Sequence, residues 1–379
     1  MTGNSGERLD CIEVLRGCAV LLVVVHHING NFITNFPEEV NAFYKYFAGW
    51  VGVDLFFAIS GFVISRSILP KFLDAKSNNE FWHFALNFWI KRAWRLLPSA
   101  WLWLFILLGL SFVFNKSGVF GSVSTNLYAT IAGILDFANI RFAHAFGNYF
   151  YGASFVHWSL SLEEQFYFFL PLVFFLSRRW FPLVVIVVLF QQLLSTKGLW
   201  ELAFRMDAIL LGVLLALWSG SSSYRKLEPA NWNRGLIGLL VVVLFVCMLV
   251  IASDGVAFKS HRTSIVALLA IVLVWLASYN KNYILPQGRL LRIMKNLGRL
   301  SYAIYLVHIP VFFLIREATF RYDVTLPIAV SILLSLFLTY CIAELNFKFV
   351  ESPFRKKGAD IVKQRSLRFG RSPTPAVRG

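Results

Sequence analysis

The chain has 379 residues, 36 basic and 20 acidic, for a formal net charge of +16, and it is 58% hydrophobic but only 15% charged. With a mean hydropathy of +0.64 it is too apolar for a soluble globule. The positive charge needs no nucleic acid to explain it, because it clusters between apolar runs, where a membrane protein keeps its cytoplasmic lysines and arginines. The N-terminus, Met1 to Asp10, is polar and no small-residue cleavage site follows the first apolar run, so no removable signal peptide is expected. Apolar runs of about 15–20 residues, the length that crosses a hydrocarbon core, fall at 14–34, 50–69, 96–114, 158–177, 181–195, 202–218, 235–252, 263–279, 300–316 and 326–347.

Residues 127–140 are apolar enough to suggest an eleventh span, but the run is short and contains Asp136 and Asn139. With ten spans and a cytoplasmic N-terminus, most of the basic residues lie inside: Lys91, Arg92 and Arg95, Arg178 and Arg179, Arg289, Arg292, Lys295 and Arg299, and Arg355 onward. An eleventh span reverses that majority. The expected fold is therefore an all-α membrane protein of about ten transmembrane helices plus one re-entrant or interfacial segment, with N- and C-termini cytoplasmic. Residues 1–356 form one transmembrane domain, and 357–379 is expected to be a basic, disordered cytoplasmic tail. Membrane lipids, anionic ones above all, are the expected partners of most of the basic loops. Cys11, Cys18, Cys247 and Cys341 sit in or beside apolar runs; neither a metal cluster nor a disulfide framework is expected of them.

An ionisable residue inside an apolar span is expensive and is by default a functional candidate. The first run holds Glu13, Arg16, His26 and His27. At about 100° per residue, Arg16 and His27 return to nearly one helix face, with His27 roughly 16 Å further along the axis. One stripe thus carries a guanidinium near the cytoplasmic surface and an imidazole near mid-membrane. His26 lies off that stripe and reads better as a histidine bonded to a neighbouring helix. Asp54 opens the second span, where it would orient a histidine, bind a sugar or simply suit a helix terminus. Ser60 and Gly61 permit close helix contact. Arg92 and Arg95 are i,i+3 neighbours just before Pro98 and face one way. Glu163 and Glu164, in the first turn of the fourth span, suit the helix dipole or hold acceptor hydroxyls. Asp207 is expected to pair with Arg205, and His308 to be a structural anchor or a pocket wall.

Arg16, ten residues and His27 resemble the Arg-x10-His signature of the acyltransferase-3 family of polytopic membrane O-acyltransferases. Further blocks are similar in the same order: Gly52-Val-Asp54 through Ser60-Gly61-Phe62, Arg92-Ala-Trp-Arg95, Trp158-Ser-Leu-Ser161-Leu-Glu163, Arg205-Met-Asp207, Leu297-Gly-Arg299 through His308, and Val350-Glu351-Ser-Pro353-Phe354-Arg355. Together they run from about residue 9 to 356. Glu13 stands where an aspartate is often found, and the likeness is to the standalone form, without the SGNH hydrolase-like domain that some members append. The resemblance implies a catalytic His27 and an acyl-donor site at Arg16, Arg92 and Arg95; from their own chemistry, Glu13, Asp54, Ser60, Glu163, Glu164 and Asp207 are expected as supporting or acceptor-binding residues. The resemblance also implies an acyl-CoA donor, acetyl-CoA above all, a glycan or lipid-linked saccharide acceptor, no permanently bound cofactor or metal, and a place in the bacterial cytoplasmic (inner) membrane.

The residue chemistry agrees. Arginine forks bind phosphate oxygens bidentately, which suits the polyanionic end of a CoA thioester. A neutral histidine can deprotonate a hydroxyl near pH 7 as it attacks. A transporter or flippase would also bury charges, but should show repeated halves with broken helices, and a polysaccharide ligase or polymerase should carry a larger outer loop. Binding of acyl-CoA separates the three.

Overall fold

The computed structural model describes residues 9–32, 38–195, 198–256 and 261–370, and among them the chain is helical, with no strand. Seven helical stretches are long and apolar enough to cross a membrane, and two shorter apolar helices, Asp207–Trp218 and Arg262–Ser278, accompany them. Helices are the form the composition demands, since a backbone in hydrocarbon must satisfy its own hydrogen bonds.

In chain order, α1 (Asp10–Ile28) is followed by the short α2 (Glu38–Tyr46), α3 (Val51–Asp74) and the long α4 (Asn78–Val113). Next come α5 (Val123–Ile134), α6 (Ala138–Ala145), α7 (His157–Ser177) and α8 (Phe181–Leu194). Then follow α9 (Leu199–Ala203), α10 (Asp207–Trp218), α11 (Ser222–Lys226), α12 (Arg234–Ile251) and α13 (Arg262–Ser278). The chain closes with α14 (Arg289–Arg321), α15 (Ile328–Asn346), a π-turn at Phe347–Glu351 and α16 (Ser352–Phe369).

Close glycine crossings, two of them between long-separated helices, help set the core. A Cβ on Gly17 of α1 would lie 2.3 Å from the Met294 carbonyl oxygen of α14, and one on Gly298 of α14 would lie 1.8 Å from the Glu13 oxygen. Backbone therefore meets backbone where α1 and α14 cross. The second crossing joins α3 to α10: a Cβ on Gly61 would meet the Ile209 oxygen at 2.0 Å, and one on Gly212 the Ala58 oxygen at 2.4 Å. The close-contact reading of Gly61 thus has a specific partner. α1, α3 and α14 form the buried centre, while α8, α12 and α15 turn exposed apolar side chains outward, as lipid-facing helices do.

Several boundaries differ from expectation. The first helix ends at Ile28, inside the expected 14–34 run, because the chain turns at Asn29 and Gly30, the latter at φ +73°; His27 therefore sits in the last turn of α1. Residues 127–140 do not make one helix: Asp136 takes φ +57°, and Phe137 N–H closes on the Ala132 carbonyl at 2.8 Å, a left-handed stop that separates α5 from α6. Glu163 and Glu164 fall in the second turn of α7, which starts at His157, rather than in the first.

The expected disordered tail needs correction as far as Gly370; residues 371–379 lie outside the described residues. Residues 357–369 continue α16, which lies along the N-terminal half of α4. Gly358 packs against Trp94, Phe354 stacks on the same indole at 5.8 Å, and Phe369 stacks on His83 at 4.1 Å. Arg365 donates to Asn87 at 3.3 Å. Composition suggested disorder because basic residues dominate the segment. A few apolar and aromatic contacts at helical spacing suffice to order it against a partner helix.

Candidate functional site

A cavity of about 1180 Å³ opens between α1, α3, α4, α7 and α14, with the π-turn and α16 closing one side. The sequence-predicted Glu13, Arg16, Ser60, Arg92, Arg95 and Glu163 all line it. His27, Asp54, Glu164 and Asp207 do not.

The positive end is built on two helices. The i,i+3 spacing of Arg92 and Arg95 on α4 aims both into the cavity, where Arg16 of α1 meets them as a third guanidinium close enough to repel. Arg92 lies over the rings of Phe88 and Tyr167, at 5.8 and 5.5 Å. Arg16 is 3.5 Å from Glu13. Arg95 keeps a buried Nε with no hydrogen-bond partner among the described residues. Facing this group, the Glu163 carboxylate accepts from both Ser60 Oγ and Tyr167 Oη, while Tyr167 Oη also lies 3.2 Å from Ser60 Oγ. Ser60 is thus fixed in a carboxylate network as well as sitting beside a packing glycine.

The sequence reading missed three contributors on this wall. The π-turn tucks Glu351 inward to 2% exposure, beside Arg95, Arg16 and Arg355, and Glu351 and Arg355 both line the cavity. Arg299 joins them, holding Glu344 at 2.6 Å. The Val-Glu-Ser-Pro-Phe-Arg block carried the signal only as one of the stretches that resemble the family. What could not be read was the π-turn that rotates it into the cavity.

At the other end the cavity stops at Val53, Phe56, Ser159 and Tyr305, where Ser159 Oγ and Tyr305 Oη are 2.7 Å apart. One turn beyond Tyr305 stands His308, and opposite it His27. His27 Nδ1 lies 2.9 Å from its own Val23 carbonyl and 3.2 Å from His308 Nε2, with Phe155 against its ring at 5.4 Å. The α1–α14 glycine crossing lets these two rings meet. The arrangement offers anion-binding groups at one end of a cavity and a pair of imidazoles just past the other.

The remaining predicted residues are engaged elsewhere. Asp54, fully buried, accepts from Arg205 at 3.1 Å, and Arg205 is walled by Trp50, Phe57 and Trp158. Asp207, expected to pair with Arg205, instead accepts from Ala208 N–H at 3.0 Å and Ser264 Oγ at 3.4 Å. The helix begins between the two residues, so Arg205 turns back toward α3 while Asp207 enters the α10–α13 interface. Glu164 lies beside the carboxyl of Asp136. A buried ion pair broken on one side leaves an uncompensated charge, so Asp54→Ala should destabilise the protein by roughly 3–5 kcal/mol. Adding Arg205→Leu should return part of the loss, as read by thermal unfolding in detergent.

The model of the Acyltransferase domain family (Acyl_transf_3) matches residues 9–344. A Staphylococcus aureus MRSA252 protein that carries the provisional name O-acetyltransferase SAR0937 is 27% identical over 94% of this chain and 58% of its own length. The O-acetyltransferase OatA of S. aureus NCTC 8325 is 24% identical over 93% of this chain and 58% of its own. The chain thus spans a little under three fifths of the curated relatives it matches. No solved structure matches it.

Proposed function

The chain belongs to the acyltransferase-3 family, and from that premise we propose that it is an acetyl-CoA-dependent membrane O-acetyltransferase acting on a hydroxyl of a cell-envelope or secreted glycan. The donor enters from the cytoplasm, the membrane is the bacterial cytoplasmic membrane, and the chain crosses it ten times with both termini inside. The observation that carries the donor assignment is the convergence of Arg16, Arg92 and Arg95 on one cavity, with a buried Arg95 Nε left unpartnered. A buried donor without an acceptor asks for an explanation, which a bound anion supplies, and guanidinium forks suit phosphate oxygens.

With the diphosphate among these arginines, the pantetheine arm runs along the α1 stripe toward Tyr305 and the histidine pair. Arg16 and His27 are eleven residues apart on one helix, roughly 16 Å of rise. His27 takes the proton from the acceptor hydroxyl as its oxygen attacks the thioester carbonyl. The tetrahedral centre collapses, the C–S bond breaks, and the imidazolium returns the proton to the departing thiolate, leaving an ester and free CoA thiol. Relatives named O-acetyltransferases support the acetyl group and the oxygen acceptor.

Isothermal titration of purified protein with a non-hydrolysable acyl-CoA tests the reading. Arg92→Ala with Arg95→Ala removes two charge-assisted contacts of roughly 1.5–3 kcal/mol each. The dissociation constant should rise at least about tenfold. Lysine at both positions should recover only part, because a point charge does not reproduce the fork. A double variant that binds like wild type would place the donor elsewhere.

A further inference from the structure

The two imidazoles beyond the cavity are held in the same way, each with Nδ1 facing the carbonyl four residues back on its own helix. For His27 that oxygen is Val23 O at 2.9 Å, and for His308 it is Ile304 O at 3.2 Å. A carbonyl can only accept, so each Nδ1 carries a proton and each neutral ring keeps its lone pair on Nε2. His308 Nε2 lies 3.2 Å from His27 Nδ1. The lone pair of one ring therefore faces the N–H of the other, and His27 divides its Nδ1 proton between Val23 O and His308 Nε2. The opposite tautomer of His27 would set three lone pairs against one another. His308 is wholly buried between the rings of Tyr305 and Phe312, at 5.8 and 5.9 Å, which hold it in place.

From this geometry we propose that His308 is a positioning residue for acyl transfer, accepting the Nδ1 proton of His27 so that Nε2 of His27 is the nitrogen that takes the acceptor's proton. The proposal rests on the assignment of His27 as the base. His27 Nε2 makes no hydrogen bond among the described residues, so it is left for the substrate. When His27 gains its second proton, positive charge spreads to Nδ1–H, and that hydrogen bond shortens and strengthens. A carboxylate fills this place behind the histidine of serine hydrolases. Here a neutral imidazole gives the same orientation without a buried negative charge, whose desolvation inside a membrane is costly.

Three substitutions separate positioning from packing. His308→Leu and His308→Met fill the space without a strong acceptor, while His308→Gln keeps a side-chain carbonyl. The leucine and methionine variants should bind acyl-CoA as wild type does and keep its KM, yet lose roughly 10- to 100-fold in kcat. Glutamine should restore most of that loss. Normal acyl-CoA binding reports that a variant is folded; should leucine fail on that count, the methionine and glutamine pair decides. Wild-type kcat in the folded apolar variants, or a glutamine variant as slow as they are, would overturn the proposal. His27→Ala is assayed beside them: if it still turns over, the base assignment itself has failed, whereas an inactive His27→Ala with fully active His308 variants removes only the role of His308.

Discussion

His27→Ala should bind acyl-CoA with wild-type affinity and transfer nothing measurable, with kcat reduced at least about 10²–10⁴-fold, the share that a positioned base contributes. The separation follows from geometry. The arginines that line the cavity lie toward the other end of α1 from His27, and His27 itself is outside the cavity wall. Removing its ring leaves Arg16, Arg92 and Arg95 untouched. His26→Ala should retain activity, because the His26 ring meets His27 edge-on at 5.3 Å but makes no contact with the arginine group. Single-turnover transfer of a labelled acetyl group to a small alcohol or to water, run beside the binding titration, reads both quantities on one preparation. Full turnover by His27→Ala would remove the proposed mechanism.

The second large effect is expected from a position that carries no side chain at all. Gly298→Val should destabilise the protein by about 3 kcal/mol or more, at or above the upper end of ordinary overpacking, and should abolish transfer. A Cβ at this position would stand 1.8 Å from the Glu13 oxygen and 2.6 Å from its carbonyl carbon, both backbone atoms that no rotamer change can move. α1 must then shift against α14, separating His27 from His308 and Arg16 from the wall completed by Arg299. Gly17→Val should do the same from the opposite side. Gly109→Ala and Gly238→Ala are the controls: nothing lies within 4 Å of a Cβ at either, and in a helix alanine is favoured over glycine by up to about 1 kcal/mol. Thermal unfolding in detergent should rank the four variants in that order, and a Gly298→Val protein as stable as wild type would overturn the tight α1–α14 crossing.

The parts legible in the sequence were those written into one helix. Arg16 and His27 share a stripe because eleven residues nearly complete whole turns, and Arg92 and Arg95 share a face by their spacing; Ser60 and Gly61 announce a close contact by size alone. What stayed illegible depends on partners distant in the chain. Nothing near Gly298 says that it rests on Glu13, and nothing near Asp54 says that Arg205 will reach it across 151 positions rather than Asp207 across two. From sequence His308 reads as wall or anchor, because its partner is an atom 281 residues away. The basic composition of 357–369 concealed its helix for the same reason, since its stability comes from Trp94, His83 and Asn87 of α4.

The brace of α16 along α4 has a thermodynamic corollary. One continuous helical stretch supplies Glu351 and Arg355 to the cavity wall and then, without a break, the exposed lysines Lys356, Lys357 and Lys363. Where occupancy of the cavity and the docking of this helix are coupled, linkage requires that each change the other's free energy by an identical amount. If an occupant of the cavity binds the docked helix better than the undocked one, anything that grips the outer surface of α16 in its docked position tightens the hold on that occupant, and anything that peels it away loosens that hold by the same factor.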